Sequence, residues 1–443
     1  MFLNHDIQNE IIRRRDMRDV FTFTIDPADA KDFDDAISFQ TVEEGYQIGV
    51  HIADVSFYVR PGTKVDDDAY QRGTSVYLVD RVLPMLPEEL CNDKCSLRPN
   101  EDKLCMSVIF TMDADAHVLK YKICRTVIRS NARLNYDEAQ EIINPSKTSN
   151  TSHTSNTSAL ATALTTLNSL ATKLRAERIA NGALTIEQDE MRFKLDEHGY
   201  PTEIYFEQPN EAHHLIEEFM LLANKTVAKA VGSGRPFVYR VHDVPDAEKL
   251  EEIKKFKRQC AMTAKMRHHA VSQETIDRAI NMLTIRAQAK AVYSTYNIGH
   301  YGLAFSHYTH FTSPIRRYPD LMVHRLVEKY ILTGKPISLT REELEEKCEH
   351  CSACEQEATQ AERDSIKQFQ ALWMKEHVGE ILNGHISGVT DFGFFVQLDE
   401  SRCEGLIHMT TIEHPEDYVL GDPVTVQVVR VDINRSQIDF EIV

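Results

Sequence analysis

The sequence lacks long runs of apolar residues, and this absence excludes a broad class of protein. No stretch of roughly 18 consecutive apolar residues occurs, so we expect no transmembrane helix. The most apolar segment, 215–231, still contains Glu217, Glu218, Lys225 and Lys229. The N-terminal residues also lack the apolar core of a secretory signal peptide. We therefore expect a cytoplasmic protein that has no membrane partner.

Cysteine is too sparse and too irregularly spaced for a disulfide framework, with 9 residues in a chain of 443. A positive charge balance is also missing, because 50 basic residues against 68 acidic ones give a net charge of −18. Non-specific coating of nucleic acid is therefore not expected. A local basic channel remains compatible with that total, because charges act mainly within a Debye length of about 10 Å. The hydrophobic share of 42% excludes wholesale disorder, and the length predicts more than one domain.

The pattern of apolar residues predicts strands first and helices later in the chain. Leu215, Phe219 and Leu222 are spaced as one face of a helix. The Ser/Thr-rich segment at about 145–158 has little apolar area to bury, so we expect a flexible surface loop there. Strands are predicted at Thr22–Ile25, Gln47–Ala53 and Met106–Phe110, and helices at Arg317–Leu332 and Thr340–His377.

The character of the chain changes again near residue 376. From Ile381 to Val443 the sequence reads as short β segments, including the aromatic strand Phe392–Val396. This spacing is typical of a small barrel of the OB type. We therefore expect an α+β fold, with a domain of mixed sheets and helices over residues 1–376 and an OB-fold barrel over 377–443.

The strongest chemical signal is a cluster of five carboxylates within ten residues, directly after a predicted strand. Their mutual repulsion is unfavourable unless a cation neutralises it, and Mg²⁺ prefers oxygen ligands. A solvated acidic turn is the simpler alternative. The EF-hand calcium loop does not fit, because Lys31 stands where that loop needs glycine. The five carboxylates are Asp26, Asp29, Asp32, Asp34 and Asp35.

Two further groups have both a functional and a structural interpretation. Arg316 and Arg317 follow Ser313-Pro314 at a predicted helix start, where arginines and helix N–H groups favour anions. Cys348, Cys351 and Cys354 have a spacing found in metal sites, but they lie at i, i+3 and i+6 of a predicted helix. For these cysteines we predict a buried packing face rather than a metal site.

Taken together, these motifs resemble the ribonuclease II/ribonuclease R family, and the match is closest to its ribonuclease R branch. It starts at Thr24-Ile-Asp-Pro-Ala-Asp-Ala-Lys-Asp-Phe-Asp-Asp-Ala36 and continues through nearly the whole chain in the family's order. The further matching segments begin at His51-Ile-Ala-Asp, Arg72-Gly-Thr-Ser, Val82-Leu-Pro-Met, Cys95-Ser-Leu-Arg, His213-His-Leu-Ile, His310-Phe-Thr-Ser-Pro-Ile-Arg-Arg and Ala361-Glu-Arg-Asp.

The resemblance implies a catalytic domain of the RNB type followed by an S1-type barrel. It implies a processive 3′→5′ exoribonuclease that hydrolyses single-stranded RNA to nucleoside 5′-monophosphates. The expected cofactor is Mg²⁺, in two ions, with Mn²⁺ as a possible substitute.

The resemblance also assigns roles to individual residues. Asp26, Asp32, Asp34 and Asp35 fall on the family's metal-binding aspartates. Asp34, Arg316 and Glu362 fall on its catalytic positions, with Arg316 at the scissile phosphate. The residues expected to contact RNA are Tyr77, His310, Arg316, Arg317, Phe392 and Phe394.

The sequence departs from the family in two ways. Its usual cold-shock domains are not seen before the catalytic domain, and the S1-type segment is short between Ile412 and Gly421. Two alternatives follow: a catalytically silent RNA-binding regulator, or a phosphodiesterase that acts on another substrate. We expect the chain to be a monomer.

Overall fold

A seven-stranded sheet forms the centre of the N-terminal part in this computed structural model. The structure describes residues 4–145, 155–185, 189–246, 248–249, 251, 253–255, 273–335 and 338–443. The strand order is β1-β8-β7-β4-β3-β2-β9, and most neighbours are antiparallel. The strands of this sheet are β1 Arg15–Asp16, β2 Thr22–Asp26, β3 Asp35–Val42, β4 Gly45–Ala53, β7 Asp102–Met112, β8 Val118–Arg129 and β9 Ala132–Asn135.

The central strands of the sheet are buried on both faces along most of their length. All five residues of β2, ten of the eleven of β7 and the last six of the nine of β4 are buried. The predicted strands at Thr22–Ile25, Gln47–Ala53 and Met106–Phe110 are therefore confirmed. Three short antiparallel pairs lie outside the sheet: β5 Val76–Tyr77 with β6 Val82–Leu83, β10 Glu190–Leu195 with β11 Pro201–Glu207, and β12 Tyr239–Val241 with β13 Val292–Ser294.

The helices pack their apolar faces onto this sheet and onto one another. Leu215, Phe219 and Leu222 are buried in the main core, so the predicted helical face is confirmed. The α-helices of the described residues are Asn4–Arg13, Val55–Tyr58, Lys64–Arg72, Tyr136–Ile143, Ser155–Ala180, Glu211–Gly232, Gln273–Ala287, Tyr318–Val327 and Arg341–Met374. The π-helical turns are Glu89–Lys94 and Glu328–Leu332, and the 3₁₀ turns are Tyr301–Leu303, Lys375–His377, Met409–Thr411, Pro415–Asp417 and Ile433–Arg435.

The longest helix, Arg341–Met374, begins where its sequence provides a capping box. The Thr340 hydroxyl accepts a hydrogen bond from the Glu343 amide, and the Glu343 carboxylate accepts one from the Thr340 amide. Cys348 and Cys351 lie on its buried face, which confirms the packing interpretation for these two residues. Cys354 is half-buried against Gly73, where a Cβ would lie 2.5 Å from the Cys354 Cβ.

The Ser/Thr-rich segment differs from its prediction at its C-terminal end. Residues 146–154 lie outside the described residues, but the helix Ser155–Ala180 starts within the segment. The loop prediction is therefore wrong for 155–158. The helix is anchored by Leu160, Leu164 and Leu167, which are buried in the main core, and serine and threonine are tolerated in its first turn.

The C-terminal part is a closed five-stranded barrel, which confirms the predicted OB-type architecture and the α+β class. The strand order is β14-β15-β16-β18-β17, with one parallel pair between β16 and β18. Its core contains Phe394, Val396, Val426 and Phe440. The strands are β14 Ile381–Thr390, β15 Gly393–Leu398, β16 Glu404–His408, β17 Pro423–Asp432 and β18 Gln437–Ile442.

The β10–β11 hairpin connects the barrel to the N-terminal part, and sequence patterns did not predict these strands. Arg402 of the barrel forms an ion pair with Asp189 and lies 4.3 Å from the ring centroid of Phe206. On the other side, Phe193 packs against Phe369 of the long helix, with ring centroids 5.8 Å apart. The hairpin therefore fixes the position of the barrel relative to the long helix.

In the part of the chain that the structure describes, no helix combines the length and the apolar character needed to cross a bilayer.

A buried ion-pair network stabilises the edge of the sheet near β1. The Asp54 carboxylate is fully buried and lies 2.7 Å from Arg14 Nη2 and 3.3 Å from Arg125 Nε. It also accepts hydrogen bonds from the Ser56 hydroxyl and the Phe57 amide. Burial alone would raise the pKa of Asp54, but the charges of Arg14 and Arg125 outweigh burial and lower it.

We predict that Asp54→Asn lowers the free energy of unfolding by about 3–5 kcal/mol, because it removes the fully buried counter-ion of Arg14 and Arg125 and leaves Arg14 paired only with Glu10. Urea unfolding monitored by circular dichroism measures this difference. Because the folded-state pKa of Asp54 is depressed, its stabilisation is present above about pH 4 and is lost as the pH falls further. Glu203→Gln is a matched control, since it breaks only the exposed pair with Lys194 and should change stability by less than about 1 kcal/mol. Equal effects of the two variants would contradict the assignment.

Candidate active site

The acidic cluster lies at one end of the central sheet, between two adjacent strands. Asp26 is the last residue of β2 and Asp35 is the first residue of β3. These strands pair antiparallel, so the end of one lies beside the start of the other. The intervening loop carries Asp32 and Asp34 into the same region, while Asp29 is exposed on its outer side.

This loop is held in place by contacts from segments far away in the sequence. The Ser96 hydroxyl accepts a hydrogen bond from the Phe33 amide at 3.0 Å and donates one to the Lys31 carbonyl at 2.8 Å. The Arg133 guanidinium donates to the carbonyls of Pro27 and Ala28 at 2.9 and 2.8 Å. Both ends of the acidic loop are therefore fixed by hydrogen bonds.

Asp34 connects the acidic loop to the segment that carries Arg316. Its carboxylate, on a residue that is 6% exposed, accepts a hydrogen bond from the Ile315 amide at 2.8 Å. The Arg316 carbonyl in turn accepts hydrogen bonds from the Ser75 amide and the Thr74 hydroxyl. Three motifs that are distant in sequence thus meet at one point.

Arg316 contributes positive charge beside Asp32, Asp34 and Asp35. Its Nη2 atom lies 3.3 Å from the Ser313 hydroxyl. Its charge lowers the pKa of Asp32, Asp34 and Asp35, which places its guanidinium within electrostatic range of all three.

Burial nevertheless dominates the electrostatics of the carboxylates. It raises the pKa of Asp32, Asp34 and Asp35 despite the opposing effect of Arg316. Burial also raises the pKa of Asp26, and the charge of Asp35 raises it further. The site therefore has more negative charge than Arg316 alone neutralises.

Tyr77 and Glu362 lie together beside the cluster. The Glu362 carboxylate accepts a hydrogen bond from the Tyr77 amide at 3.0 Å. The Tyr77 side chain is 40% exposed. Burial of its hydroxyl raises the pKa of Tyr77 to about 12, with opposing and reinforcing effects from Arg316 and Asp32. The ring is thus next to the acidic site and also accessible.

The donor set is compatible with Mg²⁺. Asp26 Oδ2 is buried and has no hydrogen-bond partner among the described residues, so this oxygen is available to bind a cation. Among the described residues, no three His, Cys, Asp or Glu side chains are already arranged as ligands of one metal ion. Mg²⁺ usually takes only one or two protein carboxylates and completes its shell with water and substrate phosphates. The residues present therefore fit this ion.

Two of the residues predicted to contact RNA, Arg317 and His310, bind other side chains of the protein. Arg317 forms an ion pair with Asp320 at 2.8 Å, and Asp320 also accepts a hydrogen bond from the Ser313 amide. His310 Nδ1 is hydrogen-bonded to the Tyr293 hydroxyl at 2.8 Å. Burial and the charge of Arg317 lower the pKa of His310 well below its usual value. Both side chains already have protein partners, and contact with RNA stays a prediction for them.

The two barrel phenylalanines differ from each other. Phe392 is 58% exposed, whereas Phe394 is 2% exposed and packs inside the barrel core. The prediction that Phe394 binds RNA is wrong, because its ring has no face free for a base. Phe392 lies in the turn before β15, whereas Phe394 lies within β15 on the face that fills the barrel.

Three residues at the site were missed by sequence reasoning: Ser96, Arg133 and Tyr136. Tyr136 lies near Asp35 and Asp26, whose charges together with burial raise its pKa. Its ring stacks on His213 with centroids 3.7 Å apart. Only Ser96 had a visible signal, since it lies within the matching segment that begins at Cys95.

Comparison with known protein families matches both parts of the chain. The RNB domain family matches residues 14–333, and the S1 RNA binding domain family matches residues 375–443. Ribonuclease R of Aquifex aeolicus is 41% identical over 469 residues, covering 98% of this chain. The chain spans 66% of the length of that relative.

Solved structures show the same architecture. RNase R of Mycoplasma genitalium in complex with ribose methylated single-stranded RNA superposes with a TM-score of 0.88 at 27% identity, covering 100% of this chain and 73% of the other. Yeast Ssd1, a pseudonuclease, superposes with a TM-score of 0.72 at 20% identity, covering 95% of this chain and 54% of the other. The likeness to Ssd1 shows a common fold alone.

We predict that Ser96→Ala loosens the acidic loop. The substitution removes the acceptor of the buried Phe33 amide, and an unsatisfied buried donor lowers stability by about 1–3 kcal/mol. Urea unfolding of the variant measures the loss. Thr172→Ala removes an exposed helical hydroxyl instead and should change stability by less than about 0.5 kcal/mol. A Ser96→Ala protein as stable as the wild type would contradict the bracing role of this serine.

Proposed function

The chain belongs to the RNB domain family, and we propose that it is a Mg²⁺-dependent 3′→5′ exoribonuclease acting on single-stranded RNA. It would remove nucleotides processively from the 3′ end and release nucleoside 5′-monophosphates. One observation supports this proposal above the others: Asp26, Asp32, Asp34 and Asp35 are gathered beside Arg316.

Arg316 is the group best suited to bind the scissile phosphate. A guanidinium offers a planar pair of donors that matches two phosphate oxygens. Its backbone is fixed through Ser75 and Thr74, so the side chain starts from a fixed position. Glu362 lies on the other side of Tyr77 and would orient groups at the same phosphate.

The four aspartates would hold Mg²⁺, in two ions, with Mn²⁺ as a substitute. When bound, such an ion neutralises the crowded carboxylates and lowers the pKa of a water ligand, which makes that water a better nucleophile. Asp34 would keep its hydrogen bond to the Ile315 amide and so hold the acidic loop against the Arg316 segment.

Aromatic residues would position the RNA without reading its sequence. Stacking of a base on an aromatic ring contributes about 1–3 kcal/mol and tolerates every base. Tyr77 at the acidic site and Phe392 on the barrel are exposed enough for this role. Preference for RNA over DNA would rest on contacts to the 2′-hydroxyl.

We also propose that the protein acts as a monomer in the cytoplasm and that the barrel contributes to RNA binding. The family match of residues 375–443 to an S1 RNA binding domain supports the last point.

We predict that Asp34→Asn abolishes cleavage and leaves RNA binding intact. The amide removes one negative charge from the metal site, but its oxygen can still accept the hydrogen bond from Ile315. The assay uses 5′-labelled single-stranded RNA with Mg²⁺ on a sequencing gel, and a native gel shift in EDTA measures binding.

Asp29→Asn is the matched control, because Asp29 belongs to the same loop but is exposed. It should cleave at the wild-type rate. Full turnover by Asp34→Asn would contradict the site assignment. Binding without cleavage by the wild type would instead favour a catalytically silent RNA-binding protein, and equal cleavage of matched DNA would favour a less specific phosphodiesterase.

A further inference from the structure

A cavity lies outside the acidic cluster. It has a volume of about 720 Å³ and is lined by the turn between β7 and β8, the helices Ser155–Ala180 and Glu211–Gly232, and residues 304–307. This size is within the range of pockets that hold small molecules.

The cavity is separate from the catalytic centre. His213, which stacks on Tyr136 beside the acidic cluster, and Lys225, which lines the cavity, lie on the same helix. Twelve residues separate them, which corresponds to about 18 Å at 1.5 Å per residue. A ligand in this cavity would therefore not touch the aspartates.

Two lysines give the cavity an anion-binding side. Lys225 and Lys229 are one helical turn apart, so their Cβ atoms are separated by about 6 Å. Among the described residues, neither lysine forms an ion pair, and the nearby Glu218 is instead paired with Arg178. Lys225 lies 5.3 Å from the ring centroid of Phe305. Burial lowers the pKa of Lys225, with Glu177 opposing this effect, so an added anion would stabilise its charged form.

The rest of the lining offers groups of a different kind. Glu177 supplies a carboxylate on the facing helix, and carboxylates commonly accept hydrogen bonds from ribose hydroxyls in nucleotide sites. Tyr121 is 49% exposed and provides an aromatic surface. Lys120 also lines the cavity, but it is already paired with Glu44.

We propose that this cavity is a binding site for a nucleoside 5′-monophosphate. Lys225 and Lys229 would bind the phosphate, Glu177 would accept hydrogen bonds from the ribose hydroxyls, and Tyr121 would contact the base. The choice of ligand rests on the proposed function, because that reaction releases this class of molecule.

A longer RNA strand fits these observations less well. A polyanion needs a row of unpaired cations. Among the described residues, His117 and Lys120 of the cavity are already paired with carboxylates. Apart from His307, this leaves only the two lysines on one helical turn. A single phosphate group next to one carboxylate matches the charges better.

The experiment is isothermal titration calorimetry of the full chain with adenosine 5′-monophosphate in EDTA. The variants are Lys229→Glu and the milder Lys225→Gln, with Lys194→Glu on the β10–β11 hairpin as a matched control for surface charge. We expect both cavity variants to weaken binding by about tenfold or more, as for a lost hydrogen bond to a charged group. Lys194→Glu should leave the affinity unchanged, and Arg316→Ala reports any binding that occurs at the acidic site instead.

The ribose contact has its own test. The 2′-deoxy nucleotide should bind more weakly than the ribonucleotide to the wild type, and Glu177→Gln should reduce this difference. Inorganic phosphate should bind more weakly than either nucleotide.

Four results would overturn the proposal. These are no binding to the wild type, equal binding by the lysine variants, loss of binding in Arg316→Ala but not in Lys229→Glu, and phosphate binding as tight as nucleotide binding. RNA cleavage measured on the same preparations keeps the two proposals separate. A protein that cleaves RNA but does not bind the nucleotide contradicts only the proposed cavity site. A protein that binds the nucleotide but does not cleave RNA contradicts only the proposed function.

Discussion

Burial of four crowded carboxylates is the constraint on which the N-terminal part of this protein depends. Asp26, Asp32, Asp34 and Asp35 are held together although burial raises the pKa of each one. An isolated acidic loop would open to let these charges separate. Here the loop joins two paired strands, and hydrogen bonds from Ser96 and Arg133 fix both of its ends.

The surrounding architecture can be understood as support for that loop. The Cys95–Pro99 segment and β9 brace it from one side through Ser96 and Arg133. The Ile315–Arg317 segment closes it from the other side and contributes the arginine. The long helix Arg341–Met374 then carries Glu362 to the site and extends to the barrel. The acidic cluster, the barrel and the β10–β11 hairpin are therefore parts of one connected framework.

Much of this arrangement could be predicted from the sequence. The acidic cluster is local, so its chemistry was visible in ten consecutive residues. The long helices and buried strands were visible because their apolar spacing is regular. The OB-type barrel was visible because several short β segments follow one another after residue 381.

What the sequence did not show depends on contacts between distant residues or on a local orientation. The bracing role of Arg133 is invisible without the fold, because its partners lie 105 and 106 residues away. The signal for β10 was present, because polar and half-buried apolar residues alternate from Glu190 to Leu195, but it spans only six residues and was missed. Phe394 was misassigned because the aromatic run Phe392–Val396 passes from an exposed turn into a strand whose inner face fills the barrel. The serine and threonine residues at 155–158 were misassigned because a helix anchored further along the chain extends into them.

The fold holds the four carboxylates together at a cost in the free energy of unfolding until a cation binds. The most direct test compares the melting temperatures of the wild type and Asp35→Asn at pH 8, in EDTA and in Mg²⁺. Since burial raises the pKa of Asp35, its charged form destabilises the fold at this pH, and the neutral amide should raise the melting temperature in EDTA by about 2 °C or more. Mg²⁺ should raise the melting temperature of the wild type and have a smaller effect on the variant. A variant less stable than the wild type in EDTA, or a wild type that does not respond to Mg²⁺, would contradict the account.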